Sequence, residues 1–185
     1  MDDVSKGENG ELATALVVVD MQQGFLEGAA AVPEADRLVA AVSGLLREAR
    51  EAGALVIHLQ NDGPVGEADE PGQPGWELPL AIPGEAIVRK SSDDGFEEPE
   101  LGGLLEKHNV RRLVIGGLLS EMCVSATART ALERGLCVVL PRDAHATYDL
   151  EDIPAAVVSR VAEHTLGDEI ELAASGSLIE FGGAA

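Results

Sequence analysis

The sequence predicts an α/β protein, an open parallel sheet of about five or six strands with helices on both faces. Three features point there. Short β-branched apolar runs recur along the chain, each bounded by Gly, Pro or polar residues. Between them lie segments whose apolar residues repeat at helical spacing. The two patterns alternate from end to end, as they do in βαβ units.

Residues 1–13, MDDVSKGENGELA, are polar and acidic and predict a frayed tail ahead of a single domain over 14–185. Residues 15–20, ALVVVD, read as a strand buried on both faces. Residues 33–52 carry Leu38, Val42, Leu45, Leu46 and Ala49 on one helical face, with Pro33 suited to the first turn and Gly53 to the stop. A second strand follows over 54–58. Residues 60–83 are rich in Gly, Pro, Asp and Glu and predict a long surface loop, a length that is commonly functional. Residues 85–90 give the third strand. A helix over 98–109 turns Leu101, Leu104 and Leu105 inward. Then come a strand over 111–117, a helix over 121–134 closed by Gly135, and a strand over 136–140. A helix over 151–166 and a short last strand over 169–172 complete the chain.

Composition narrows the function. A 185-residue chain that is 45% hydrophobic and 25% charged is not wholly disordered, and it suits one domain. No run reaches the ~18 apolar residues of a spanning helix. The N-terminus lacks a basic segment followed by an apolar one, so no secretory signal is read and the expected compartment is the cytoplasm. Thirteen basic against 33 acidic residues give a formal charge of −20, which argues against nucleic-acid binding. Most of that excess is expected on a solvated surface, but it would also attract a cationic substrate. The two cysteines, Cys123 and Cys137, are not expected to pair in the cytoplasm. No G-x-G-x-x-G follows the first strand, so no dinucleotide cofactor is expected.

Ligands of open parallel sheets bind beyond the carboxyl ends of the strands. Asp20 ends the first strand and Lys90 the third. Cys123 lies in the segment GGLLSEMC that leaves the fourth strand for the next helix. Singly these residues say little: Asp is a common cap, a strand-end Lys is commonly solvated, and a buried Cys is commonly inert. Together they place an acid, a base and a thiol at one sheet edge. A thiol attacks as its thiolate, which a helix N-terminus and a nearby ammonium stabilise, so a populated thiolate is expected. Asp20 would take the thiol proton and return it to a leaving nitrogen. Backbone N–H groups of the turn would receive the oxyanion, and a thioester would follow.

Three segments, ALVVVDMQQGF, VRKSSDDGF and GGLLSEMCVSATARTALERG, resemble the signature regions of the isochorismatase-like cysteine hydrolase superfamily, in matching order and spacing. The resemblance implies a Rossmann-like sheet and an Asp–Lys–Cys triad of Asp20, Lys90 and Cys123. It also implies a cis peptide between Leu118 and Leu119, with the N–H groups of Leu119 and Cys123 forming the oxyanion hole, and a homo-oligomer, dimer or tetramer. Members that act on isochorismate often lack the cysteine. Its presence here favours hydrolysis of an amide, lactam or ureido C–N bond, over a vinyl-ether hydrolase or a non-catalytic binder on the same fold. The metal-binding nicotinamidases carry an Asp and two His after the second strand. This chain has His58 and Asp62 there but no second His before His108, so no metal is expected. The turn reads Ser120-Glu121 where many members have Thr-Asp, and Leu119 is larger than the residue common there. The long loop resembles that of bacterial cysteine hydrolases, among which are enzymes that open polycationic lactams such as streptothricin.

Phe25, Trp76 and Phe96 are candidate walls of the substrate pocket, weighed against packing roles. His58 reads as structural and His145 as a support at the same edge. Cys137, inside a strand, reads as inert core.

Overall fold

The computed structural model describes residues 12–184. β1 (Ala15–Val19) is buried at every position, and its alternating side chains divide between the two sheet faces. Leu16 and Val18 enter one apolar cluster, and Ala15, Val17 and Val19 enter the other. That two-sided burial is why the run reads as unbroken hydrophobicity. After a single turn, α1 (Gln23–Leu26), the helix α2 (Ala35–Ala52) buries Leu38, Val42, Leu45, Leu46 and Ala49 on the first cluster. Gly53 stops it in a left-handed conformation (φ 72°), its N–H bonding to the carbonyls of Ala49 and Arg50.

β2 (Leu55–Asn61), β3 (Ala86–Lys90), α3 (Pro99–Lys107) and β4 (Arg112–Leu118) follow. A one-turn π-helix, Ser120–Val124, leads into α4 (Ser125–Glu133). The chain closes with β5 (Cys137–Pro141), β6 (His145–Ala146), α5 (Ala155–Thr165) and β7 (Glu171–Ala173). α3, α4 and the turn before α4 cover the second face through Leu101, Leu105, Val124, Ala128 and Ala131. The strand order is β3-β2-β1-β4-β5-β7, with β6 beside β4 and every pairing parallel. This is the expected α/β sheet, with one strand more than expected because two-residue β6 carries no sequence signal. Strand order reverses between β1 and β4, and a crevice opens at such a switch point.

Several boundaries differ from expectation. Of the tail, residues 1–11 lie outside the described residues. Leu12 and Ala13 belong to the folded body: Ala13 is fully buried, bridges to Phe181, and its carbonyl accepts the Gly182 N–H. β2 runs on through Gln60 and Asn61, which pair with Arg89 and Lys90. The helix expected from 121 starts at Ser125, behind a kink at Met122 (φ −110°, ψ −106°). α5 starts at Ala155 because Pro154 holds its own backbone extended and disfavours helix in the residue before it. Cys137 is not core: it is the exposed first residue of β5. No helix among the described residues is long and apolar enough to cross a membrane.

Candidate active site

The ends of β1 and β4 carry two unusual backbone conformations. Asp20 adopts φ 49°, a left-handed conformation that Asp tolerates better than most residues. Gly117 adopts φ 127°, and a Cβ there would sit 2.0 Å from the Val19 carbonyl oxygen, so only glycine lets the two strand ends meet. The Leu118–Leu119 peptide bond is cis. The Leu119 carbonyl accepts the N–H groups of Met122 and Val124 at 3.1 and 3.2 Å, which closes the turn that carries Cys123.

Lys90, at the end of β3, is fully buried and draws the three sequence-predicted residues together. Its Nζ lies 2.8 Å from Asp20 Oδ2 and 3.3 Å from Cys123 Sγ. It also donates to Asn61 Oδ1 at 3.3 Å and to the Ser92 carbonyl at 3.2 Å. Asp20 Oδ1 is buried with no hydrogen-bond partner among the described residues, an acceptor left open beside the thiol. The Cys123 thiol points to Asp93 Oδ1 at 3.6 Å, a carboxylate on the exposed side of the site.

Electrostatics corrects one expectation. Burial pushes the Cys123 thiol well above its ordinary range, the Asp20 charge adds to that, and Lys90 only partly offsets it. The resting sulfur is therefore a thiol at neutral pH, not a standing thiolate. The helix start that was to help lies two residues further on. Burial also raises the Asp20 carboxyl, against the opposing pull of Lys90, and a carboxylate of raised pKa is the stronger base. For Lys90, burial works against the charge, but Asp20 and Cys123 outweigh it and hold the ammonium above its ordinary range. The arrangement keeps a proton on sulfur and an acceptor next to it.

Sequence reasoning missed the groups that hold Lys90. Fully buried Gln22 donates to the Asn61 carbonyl at 3.0 Å and accepts the Asn61 N–H at 2.8 Å. Asn61 in turn receives Lys90 and donates to buried Asp69 at 2.6 Å. Asn61 falls where the composition predicts a loop, so nothing in the pattern marks it.

The aromatic residues expected to wall a pocket all have packing duties. Trp76 is a loop anchor: its indole donates to Asp62 at 3.0 Å, its carbonyl receives Gln22 and Gln60, and Arg89 stands 5.0 Å over its ring. Phe96 is buried in the α3–α4 cluster with Arg134 4.6 Å over its ring. Phe25 is half-buried against the α2 cluster. His58 is fully buried in the middle of β2, with Nε2 2.9 Å from Glu85, which also takes both Nε and Nη2 of Arg50. That cluster fastens the far end of the long loop. His145 reaches Ser120 in the turn that carries Cys123 at 2.8 Å. A groove of about 850 Å³ between the start of α2 and α5 does not include Asp20, Lys90 or Cys123 in its walls. Among the described residues, no group of three or more His, Cys, Asp or Glu side chains is placed to hold a metal ion.

Comparison with known proteins agrees with the fold. Residues 14–167 match the isochorismatase domain. A streptothricin hydrolase of Streptomyces noursei is 54% identical over 177 residues, covering 90% of this chain; the chain spans 64% of that relative's length. A ureidoacrylate amidohydrolase of Variovorax paradoxus is 28% identical over 176 residues, covering 74% of this chain and 69% of that protein. Among solved structures, an isochorismatase from Pseudomonas putida superposes with a TM-score of 0.82 at 29% identity, covering 90% of each chain. With a domain match over most of its length and a relative at this identity, the chain belongs to the isochorismatase family.

Proposed function

We propose that this protein is a cysteine hydrolase that cleaves a C–N bond of a small molecule through a thioester, with Asp20, Lys90 and Cys123 as its catalytic residues. The observation that carries the reading is Lys90 Nζ lying 2.8 Å from Asp20 and 3.3 Å from Cys123, all three buried. Asp20 takes the thiol proton as sulfur attacks the carbonyl carbon, so the thiolate exists only during attack. The N–H groups of Leu119 and Cys123 receive the oxyanion. Collapse breaks the C–N bond, and Asp20 passes its proton to the leaving amine. Water then adds to the thioester, Asp20 accepts the water's proton, the C–S bond breaks, and the proton returns to sulfur. Lys90 favours the charged form of Asp20 against the effect of burial and steadies the negative charge on sulfur. No cofactor enters these steps.

The substrate we place first is a cationic lactam of the streptothricin kind. The 54% identical relative supports it. So does the charge at the site, where Asp93 stands at the sulfur and Asp69 lies behind Asn61. The exposed Val157 and Val161, one turn apart on α5, support a homo-oligomer, which sedimentation reads directly.

Streptothricin and a panel of amides, lactams and ureido acids test the reading, with release of amine or ammonia as the signal. Cys123→Ala is expected to lower turnover by about 10³-fold or more, as loss of a covalent nucleophile does. Full turnover by that variant would leave a vinyl-ether reaction or another use of Asp20 and Lys90, and the thioester reading would be wrong.

A further inference from the structure

We propose that His145 is a positioning residue for this reaction, setting the turn between the two oxyanion N–H groups through Ser120. The inference rests on the cysteine-hydrolase reading and adds a residue that does not touch the reacting atoms. Ser120 lies between Leu119 and Cys123 in the chain and is almost fully buried. Both of its ends are gripped. Its hydroxyl meets His145 Nδ1 at 2.8 Å and Ser159 Oγ at 2.9 Å, and its carbonyl accepts the Ser125 hydroxyl at 2.6 Å. A buried hydroxyl with two partners is restrained in its rotamer, and that restrains the backbone that carries it.

His145 is itself positioned by its strand and by a nearby carboxylate. β6 places it in register with Gly117 on β4, and the neighbouring Ala144 carbonyl accepts the Gly117 N–H at 2.8 Å. Its Nε2 lies 3.5 Å from Glu163 Oε1, and Glu163 is buried between Arg142 at 3.5 Å and Arg160 at 3.2 Å. The next residue but one, Thr147, donates to Glu121 Oε1 at 2.9 Å. Residues 144–147 therefore grip the catalytic turn at Gly117, Ser120 and Glu121. The Ser-Glu pair that departs from the family's Thr-Asp is the pair these contacts engage, and the longer Glu121 is what reaches Thr147. Oxyanion donors act only when held to within a fraction of an ångström of the developing charge, and a displacement of about 1 Å costs about 10²-fold in rate.

The test compares His145→Ala, His145→Asn and Ser120→Ala with Cys123→Ala, using streptothricin or the best amide of the panel. Iodoacetamide alkylation of Cys123 is measured in parallel, because it requires the thiolate but no oxyanion hole. His145→Ala and Ser120→Ala are expected to lower kcat by about 10- to 100-fold, with KM and the alkylation rate each within about 2-fold of the parent. His145→Asn, whose amide nitrogen stands where Nδ1 does, is expected to recover most of kcat. If His145→Ala does not fold, Ser120→Ala breaks the same link with a smaller change. Unaltered kcat in Ser120→Ala overturns the proposal, as does a kcat loss that tracks the alkylation rate or that Asn fails to rescue. If Cys123→Ala keeps turnover, or nothing is turned over, the reading beneath it falls instead and takes the inference with it.

Discussion

At the scale of single residues, the proposed site would work by keeping a proton ready rather than by keeping a thiolate. The sign of each neighbour's effect gives a sharp consequence. The Asp20 charge raises the Cys123 thiol, and the Lys90 charge lowers it. Asp20→Asn removes the negative charge, so it is expected to speed alkylation by iodoacetamide at pH 7 while lowering turnover by about 10²-fold or more. Lys90→Met is expected to slow both. A site holding a standing thiolate would show fast alkylation in the parent at pH 7 and no gain in Asp20→Asn, and that pattern would refute the account. Asp20, Lys90 and Cys123 were legible because strand ends in an open sheet are a small set of positions, and these residues have the right chemistry there. Asp93 and Asn61 were not legible as partners. Each is an ordinary polar residue whose role is set by a contact across 29 or more positions of sequence, Asn61 with Lys90 and Asp93 with Cys123.

At the scale of elements, the His58–Glu85–Arg50 cluster is where the long loop is tied to the sheet. Arg50 adds a bond to the Leu80 carbonyl, and Glu85 accepts the Ile82 N–H. Burial holds His58 below its ordinary pKa of 6.5 despite Glu85. Between that value and the lower folded one, the unfolded chain binds a proton that the folded chain does not, so stability falls as pH drops through this window. For Glu85, burial would raise the carboxyl, but Arg50, Ile82 and His58 outweigh it and hold it below 4.5. Its contribution is present above that pH and is lost as pH falls through the folded value. Both groups thus make acid destabilising. The urea midpoint is expected to decline from about pH 7 to about pH 5, and His58→Gln should flatten that slope. An unchanged slope in His58→Gln would show that other groups carry the acid sensitivity. The same elements mark the limits of pattern reading. β1 was legible because burial on both faces leaves an unbroken apolar run. The end of β2 was not, since Gln60 and Asn61 read as loop although their side chains fasten Trp76 and Lys90. The start of α4 is not legible because helical spacing continues across the kink at Met122, which the periodicity cannot register.

At the scale of the whole molecule, the surplus of 33 acidic over 13 basic residues acts on stability and on capture of substrate at once. Like charges on a folded surface repel, and added salt shortens their reach from about 10 Å at 0.1 M to about 3 Å at 1 M. Raising NaCl from about 0.05 M to about 0.5 M is therefore expected to raise the urea midpoint, because the unfolded chain spreads the same charges over a larger volume. Substrate capture moves the other way. A cationic lactam approaching this surface is drawn in by the same field, so its KM should climb over that range of salt while kcat stays level. A neutral amide of the panel should show a KM that salt leaves nearly flat. Asp93 separates the local charge from the general one. It stands 3.6 Å from the sulfur, so Asp93→Asn should raise KM for the cation even at high salt, where the distant acids are screened. Equal salt dependence for the two substrates would sever surface charge from recognition. The acid excess would then serve solubility alone, and the case for a cationic substrate would lose its physical support.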